Sequence, residues 1–263
     1  MRHTNYDEVA ATYDRRYADE DYAGIEQALV DFLGDTTHHV LEVGCGTGYW
    51  LQRLRERNAK VHGIDPSWEM LSRAQAKLTR GRLSRARGEA LPFRDASFDR
   101  LFCINALHHF GDKRRALEEA RRALRPGGGM MTVALDPHTG RDRWWVYDYF
   151  KGTLEIDKQR YPSCQQIRDW MDEAGFVRTY TREVQHLPGD VGAQEALRTG
   201  LVAPGHTSQL AVLTRAEFAA GVARIRTAIA TDSSSRLTAD LRVYATYGSA
   251  PEFADSQIQI GRV

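Results

Sequence analysis

Apolar positions along residues 39–135 come in two rhythms. Short continuous runs at 39–43, 60–64, 99–104 and 130–135 read as strands buried on both faces. A weaker run at 82–87 reads as another. Between the runs, apolar residues recur at helical spacing. Trp50, Leu51 and Leu54 form one such stripe, and Met70, Leu71, Ala74 and Leu78 form the next. Ala116, Leu117, Ala120, Ala123 and Leu124 form a third. Ser67 is placed to cap the second helix, and Asp112 opens the third. Arg125-Pro126-Gly127-Gly128 stops it, because proline and glycine do not continue a helix comfortably. Strands alternating with helices predict an α/β fold on a mostly parallel sheet covered on both faces. Ligands in such sheets sit beyond the carboxyl ends of the strands. Chemistry is therefore expected just after Val43, Ile64, Ile104 and Leu135.

Helical patterns at 5–17 and 22–33 precede the first strand. After Leu135 the rhythm loosens, and aromatics crowd residues 141–150, RDRWWVYDYF. Residues 163–174 read as a helix with Gly175 as its stop. Strands are expected at 176–186 and 238–247, and helices at 191–202 and 215–230. That makes a seven-stranded sheet. The expected plan is a single domain, 1–263, with two helices in 1–35 and a core at 36–136. An inserted helical lid follows at 137–237, then a closing strand and tail at 238–263.

Composition adds boundaries. The chain has 263 residues, 42% apolar and 27% charged, enough for a sizeable core. A net charge of +1 gives no strong pull toward nucleic acid or a membrane surface. Six basic side chains fall in residues 70–88 without an acid, but no aromatics interleave with them, which argues against nucleic acid. The three cysteines, Cys45, Cys103 and Cys164, are few and widely spaced, which argues for reduced thiols and against a zinc site. No metal is expected. No charged-then-apolar leader opens the chain, and no apolar run approaches about 18 residues. A soluble, cytoplasmic protein is expected.

The candidate chemistry starts at Val40-Leu41-Glu42-Val43-Gly44-Cys45-Gly46-Thr47-Gly48. Glycine lacks a Cβ, so a ligand can approach the backbone closely there. A dinucleotide turn would read G-x-G-x-x-G, whereas this one reads G-x-G-x-G. Glu42, two residues before Gly44, would repel a pyrophosphate and welcome an amino group. Asp65 ends the second run, where a carboxylate can accept both hydroxyls of a ribose. The pocket thus wants a ribose, an amine and little negative charge.

These residues do not stand alone. "LEVGCGTG", "GIDPSWEML", "GEALPFRDASFD", "NALHHF" and "LRPGG" follow one another over residues 38–135. Together they resemble the class I S-adenosylmethionine-dependent methyltransferases, in particular the small-molecule group that includes the ubiquinone and menaquinone C-methyltransferases. The resemblance implies a Rossmann-like sheet and S-adenosylmethionine as cofactor. It implies that Glu42 faces the methionine end, with Gly44, Cys45, Gly46 and Gly48 against it. Asp65 would bind the ribose, with Pro66 beside it, and Met70 would pack near the adenine. Gly88, Glu89 and Ala90 would serve the adenine through backbone groups, because Arg87 stands where the family often has an Asp. Asn105 and Ala106 would lie on the sulfur side. Tyr6 and Tyr13, seven apart, can cover the cofactor or simply pack.

The resemblance implies methyl transfer to a small-molecule acceptor. His108 and His109 follow the fourth strand, where the acceptor should stand, and an imidazole can act as a base near neutrality. They can equally be structural. Trp144, Trp145 and Tyr149 can line an acceptor site or form the core of the lid. The rival reading is a catalytically inactive cofactor-binding module that acts through a partner. The acceptor, the methylated atom and the oligomeric state are not legible.

Overall fold

The computed structural model describes residues 14, 21–34, 39–55, 60–78 and 82–252. Apart from Asp14, the helix expected at 5–17 lies outside those residues, and Tyr6 and Tyr13 with it. Helix α1, Ala23–Leu33, leads into β1, His39–Val43, and α2, Tyr49–Arg55. Then come β2, Lys60–Asp65, α3, Trp68–Lys77, β3, Arg82–Arg85, and β4, Phe98–Ile104. A single 3-10 turn at Leu107–His109 and helix α4, Lys113–Ala123, lead to β5, Leu124–Leu135. The Ser67 hydroxyl accepts the Met70 N–H at 3.1 Å, and the Asp112 carboxylate accepts the Arg115 N–H at 3.0 Å, so both expected helix starts are capped.

The eight strands form one sheet in the order β3-β2-β1-β4-β5-β8-β6, with β7 also paired to β8. The first five strands are parallel and the remaining pairs antiparallel. Alternate side chains feed opposite faces, as the pleat requires. Val40, Phe102, Ile104, Met131 and Val133 pack on one face with Ile25, Leu29 and Leu51. Leu41, Val43, Leu101, Cys103 and Met130 pack on the other with Leu117, Ile167 and Met171. This two-sided burial is why the central runs read as continuous apolar stretches.

Residues 137–235 add a third apolar cluster beside the sheet. This region holds β6, Arg143–Trp144, and helices α5, Trp145–Tyr149, α6, Thr153–Arg160, and α7, Cys164–Glu173. It continues through β7, Val177–Gly192, α8, Ala193–Thr199, α9, Ser208–Ala211, and α10, Arg215–Thr231, before β8, Arg236–Ser249. Trp144 and Trp145 are buried in this cluster with Phe150, Leu210 and Ile225, and Tyr149 packs against it.

Three expectations shift. The described residues form eight strands rather than seven, because two residues of the aromatic run, Arg143 and Trp144, pair with Asp240 and Ala239. Strand β7 runs on through Pro188 and Gly189 to Gly192. Among the described residues it pairs only with β8, and an edge strand tolerates a missing N–H on its open side. Arg125-Pro126-Gly127-Gly128 does end α4, but it loops out inside β5: Leu124 pairs with Phe98 and Gly129 with Arg100.

Gly221 on α10 sits against the buried Phe150 ring, and a Cβ there would lie 2.2 Å from Phe150 Cδ1. Gly221→Ala is expected to destabilise the protein by about 1–3 kcal/mol from overpacking. That outweighs the gain of roughly 1 kcal/mol from helix propensity. Urea unfolding of the variant measures the difference.

Candidate functional site

A cavity of about 510 Å³ opens at the carboxyl ends of β1, β2 and β4. The glycine turn forms its floor. The Gly44 and Cys45 N–H groups both donate to the Ile64 carbonyl at 2.9 Å, which ties the turn to β2. Gly44 has φ +77°, and a Cβ there would lie 2.5 Å from Ala106 Cβ. Only glycine allows β1 to turn this close to the end of β4. Gly48, at φ +76°, faces Ala74 of α3 instead and does not line the cavity. Its work is the packing of α2's entry against α3. Thr47 below the turn donates to Asp14, which also pairs with Lys77 of α3 at 2.6 Å.

Two carboxylates border this floor. Asp65 Oδ2 accepts the Gly46 N–H at 2.9 Å, and Oδ1 accepts the Ser67 N–H at 2.9 Å. A carboxylate oxygen can accept more than one hydrogen bond, which is what a pair of ribose hydroxyls would ask of Asp65. Glu42 is only 1% exposed, and its Oε2 meets no donor among the described residues. Burial pushes its carboxyl well above the usual range, and the Asp65 charge adds to the shift. A carboxylate so placed fits a ligand ammonium, which would supply both the hydrogen bond and the opposite charge. Burial also pushes the Cys45 thiol well above its usual value, with the two acids adding to the effect. It is a packed filler beside Gly63, not a thiolate.

The far walls come from β2, β3 and β4. Pro66 and Met70 line the cavity after Asp65, and Arg87, Gly88 and Glu89 line it after β3. Glu89 Oε1 accepts the Gly111 N–H at 2.7 Å and the Asp112 N–H at 3.2 Å, joining the two rims. A Cβ on Gly88 would strike the Phe110 ring at 2.7 Å. Ala90 stands just outside, its N–H donating to the Arg87 carbonyl at 3.2 Å. Asn105 and Ala106 complete the wall after β4. Asn105 adopts a left-handed φ of +51°, which turns the chain out of the strand.

The two histidines part company on the 3-10 turn. His109 lines the cavity. His108 is buried and stacks on the Tyr161 ring, with centroids 3.8 Å apart and planes 16° apart. Trp144, Trp145 and Tyr149 do not line the cavity; their side chains are taken up by the core of the lid. Tyr13 lies outside the described residues. Trp50, Ile104 and Phe110 also line the cavity, although the sequence does not single them out as site residues. Phe110 carried a signal, since it directly follows the histidine pair. Trp50 read as a core residue of α2, and it is also that, being 3% exposed.

A methyltransferase domain family model matches residues 40–128. A malonyl-[acyl-carrier protein] O-methyltransferase of Halorhodospira halophila is 33% identical over 181 residues, 65% of this chain and 57% of that protein. A demethylmenaquinone methyltransferase of Thermotoga maritima is 34% identical over 159 residues, 52% of this chain and 69% of that one. The chain thus spans little more than half the length of the first of these relatives. A solved structure from Anabaena variabilis, described as a methyltransferase of an antibiotic biosynthesis pathway, superposes with a TM-score of 0.67 at 21% identity. That match covers 84% of this chain and 96% of the other. The chain belongs to the class I S-adenosylmethionine-dependent methyltransferases, and S-adenosylmethionine is its cofactor.

Proposed function

We propose that the protein transfers a methyl group from S-adenosylmethionine to a small-molecule acceptor. The observation that carries this is Glu42, sealed at the end of β1 with an oxygen that meets no donor among the described residues. In this reading Glu42 takes the ammonium of the cofactor's methionine part, and the bare backbone from Gly44 to Gly46 lets that part lie close. Asp65 takes the ribose hydroxyls. Pro66, Met70 and the backbone of Gly88 and Glu89 enclose the adenine, while Asn105 and Ala106 flank the sulfur. When bound, the cofactor supplies an already activated methyl on a sulfonium. The chain's task is then to align the acceptor, exclude water and hold any proton released. His109, on the cavity wall, is placed to take that proton; His108 supports it from behind. The relatives' acceptors, an acyl-carrier-bound malonyl group and a demethylmenaquinone by their names, favour a metabolite over a macromolecular substrate. Among the described residues no helix is long and apolar enough to cross a membrane. With its free thiols, this favours a cytoplasmic site of action.

Glu42→Gln separates stability from binding. In the ligand-free wild type, both folded and unfolded Glu42 are protonated below its unfolded pKa of about 4.3. As pH rises past that value, the unfolded chain releases the proton first, because the folded pKa is raised. Folded-state stability is therefore lost toward neutral pH. The variant should melt at a higher temperature than wild type at pH 7, with the gain vanishing near pH 4. Its affinity for S-adenosylhomocysteine should instead fall about 100-fold, roughly 2.7 kcal/mol. Calorimetric titration showing near-native affinity would remove Glu42 from the cofactor site. Asp65→Ala should weaken the same titration by a similar factor.

Labelled cofactor incubated with a metabolite extract should yield products heavier by one methylene. Once an acceptor is in hand, His109→Ala should cut turnover by about 10²-fold or more, the usual worth of a general base, with cofactor affinity retained. Unchanged turnover would exclude the base.

A further inference from the structure

A second, smaller cavity lies away from the methyl-transfer site. It has a volume of about 140 Å³ and is walled by Phe32, Arg100, Tyr180, Tyr247 and the backbone of Gly127 and Gly129. It opens toward the other end of β4. Ile104, which lines the cofactor cavity, stands four residues past Arg100, roughly 13 Å along the strand. Three features converge on this second cavity.

The first is a cation without a counter-ion. Arg100 is half-buried, and its Nε and Nη1 donate to the Phe32 and Asp99 carbonyls at 3.0 and 2.9 Å. Both of those acceptors are neutral. The Asp99 carboxylate is committed to the His39 N–H and to Arg125 Nη1, each at 2.8 Å. Arg100 thus forms no salt bridge among the described residues. Burial draws its guanidinium below the usual arginine range, and the Asp99 charge offsets only part of that. Its Nη2 is neither bonded among the described residues nor sealed from solvent. An open guanidinium nitrogen suits a carboxylate oxygen. Arg182, over the same Tyr247 ring, is already engaged by the Tyr247 hydroxyl and Asp31.

The second feature is an uncovered aromatic wall. Tyr180 is 50% exposed and stacks on Tyr247, with centroids 4.7 Å and planes 14° apart. The Phe32 ring stands 6.0 Å from Tyr247, and the Arg100 guanidinium 5.7 Å from the Phe32 centroid. The exposed Val177 pairs with Ser249 on the cavity rim. The third feature is in the backbone. Strand β7 bulges between Val177 and Tyr180, and Arg178 there holds a left-handed φ of +55°, unfavourable for a residue with a Cβ. Bulges re-aim side chains, and this one sets Tyr180 on the Tyr247 ring.

We propose that this cavity is a binding site for a small flat anion, a single-ring carboxylate whose oxygen meets Arg100 and whose ring lies against the aromatic wall. Its size fits, since a cavity of roughly 150 Å³ suffices for a benzene ring. The site shares no residue with the cofactor cavity, so it stands whether or not the methyl-transfer reading does.

Benzoate and benzamide are the probes, nearly the same shape with and without the charge. Titrated into the protein by NMR, benzoate should bind at least about fivefold more tightly than benzamide, a difference of roughly 1 kcal/mol. Saturating S-adenosylhomocysteine should leave the benzoate affinity unchanged. The benzoate ring protons should show nuclear Overhauser contacts to the Phe32, Tyr180 or Tyr247 rings. Arg100→Met should erase the ratio between the probes. Tyr180→Ala should weaken both by about three- to tenfold while keeping the ratio. No binding of benzoate, equal binding of the two probes, displacement by S-adenosylhomocysteine, or a ratio that survives Arg100→Met overturns the proposal. So does a Tyr180→Ala variant that binds both probes like wild type. Should Arg100→Met fail to fold, the wild-type Overhauser contacts decide: their absence from all three rings overturns the proposal.

Discussion

A carboxylate held out of water at the end of a buried strand constrains everything around it. Glu42 ends no hydrogen-bonded pair at Oε2 among the described residues, and Asp65 stands close enough to raise its proton affinity further. Two acids so near each other in a dry place are unfavourable unless something positive joins them. The fold nevertheless fixes both. The β1–β2 register sets Glu42 opposite Gly63, with Asp65 two residues on, and the turn's N–H groups hold Ile64 and Asp65 in place. That unfavourable pairing is what the proposed cationic ligand would relieve.

The glycines make that arrangement geometrically possible. Gly44 brings β1 against Ala106, and Gly88 brings the β3 exit against Phe110. At both places the absent Cβ narrows the distance between neighbouring strand ends. The cavity is therefore walled partly by backbone and small side chains, with Trp50, Met70, Ile104 and Phe110 adding apolar surface and Glu42, Asp65, Arg87 and Glu89 adding charge. Such a wall suits a ligand recognised by its outline and a few polar contacts.

Residues 137–235 solve a different problem. Their aromatic run closes a separate apolar cluster around Trp145, Phe150 and Ile225. That cluster carries α6, and α6 carries Asp157, Arg160 and, one residue on, Tyr161. The stacked rings of Tyr161 and His108 then join the lid to the 3-10 turn after β4. One end of this contact belongs to the turn after β4 and the other to the residue that follows α6.

Much of the core could be read from the chain itself. Leu101–Ile104 is apolar on both faces, and Val40–Val43 is apolar but for Glu42, so most of their burial follows from composition alone. The glycine turn, Glu42 and Asp65 were legible because each depends on a local property: a missing Cβ, or a charge at a strand end. Other features hang on what lies far away in sequence. Pro188 reads as the end of a strand, yet β7 passes through it because, among the described residues, it pairs in the sheet with β8 alone. Trp144 and Trp145 have the chemistry of a binding wall, and only packing against Leu210, Ile225 and Leu237 puts them in a core. His108 and His109 are identical in sequence terms. The turn and the Tyr161 ring, 52 positions after His109, decide which of them meets the cavity. Sequence determined the elements and the polar groups at their ends, because backbone sterics and local charge act within a few residues. Tertiary structure decided which side chains share a surface, because burial depends on neighbours the chain brings from a distance.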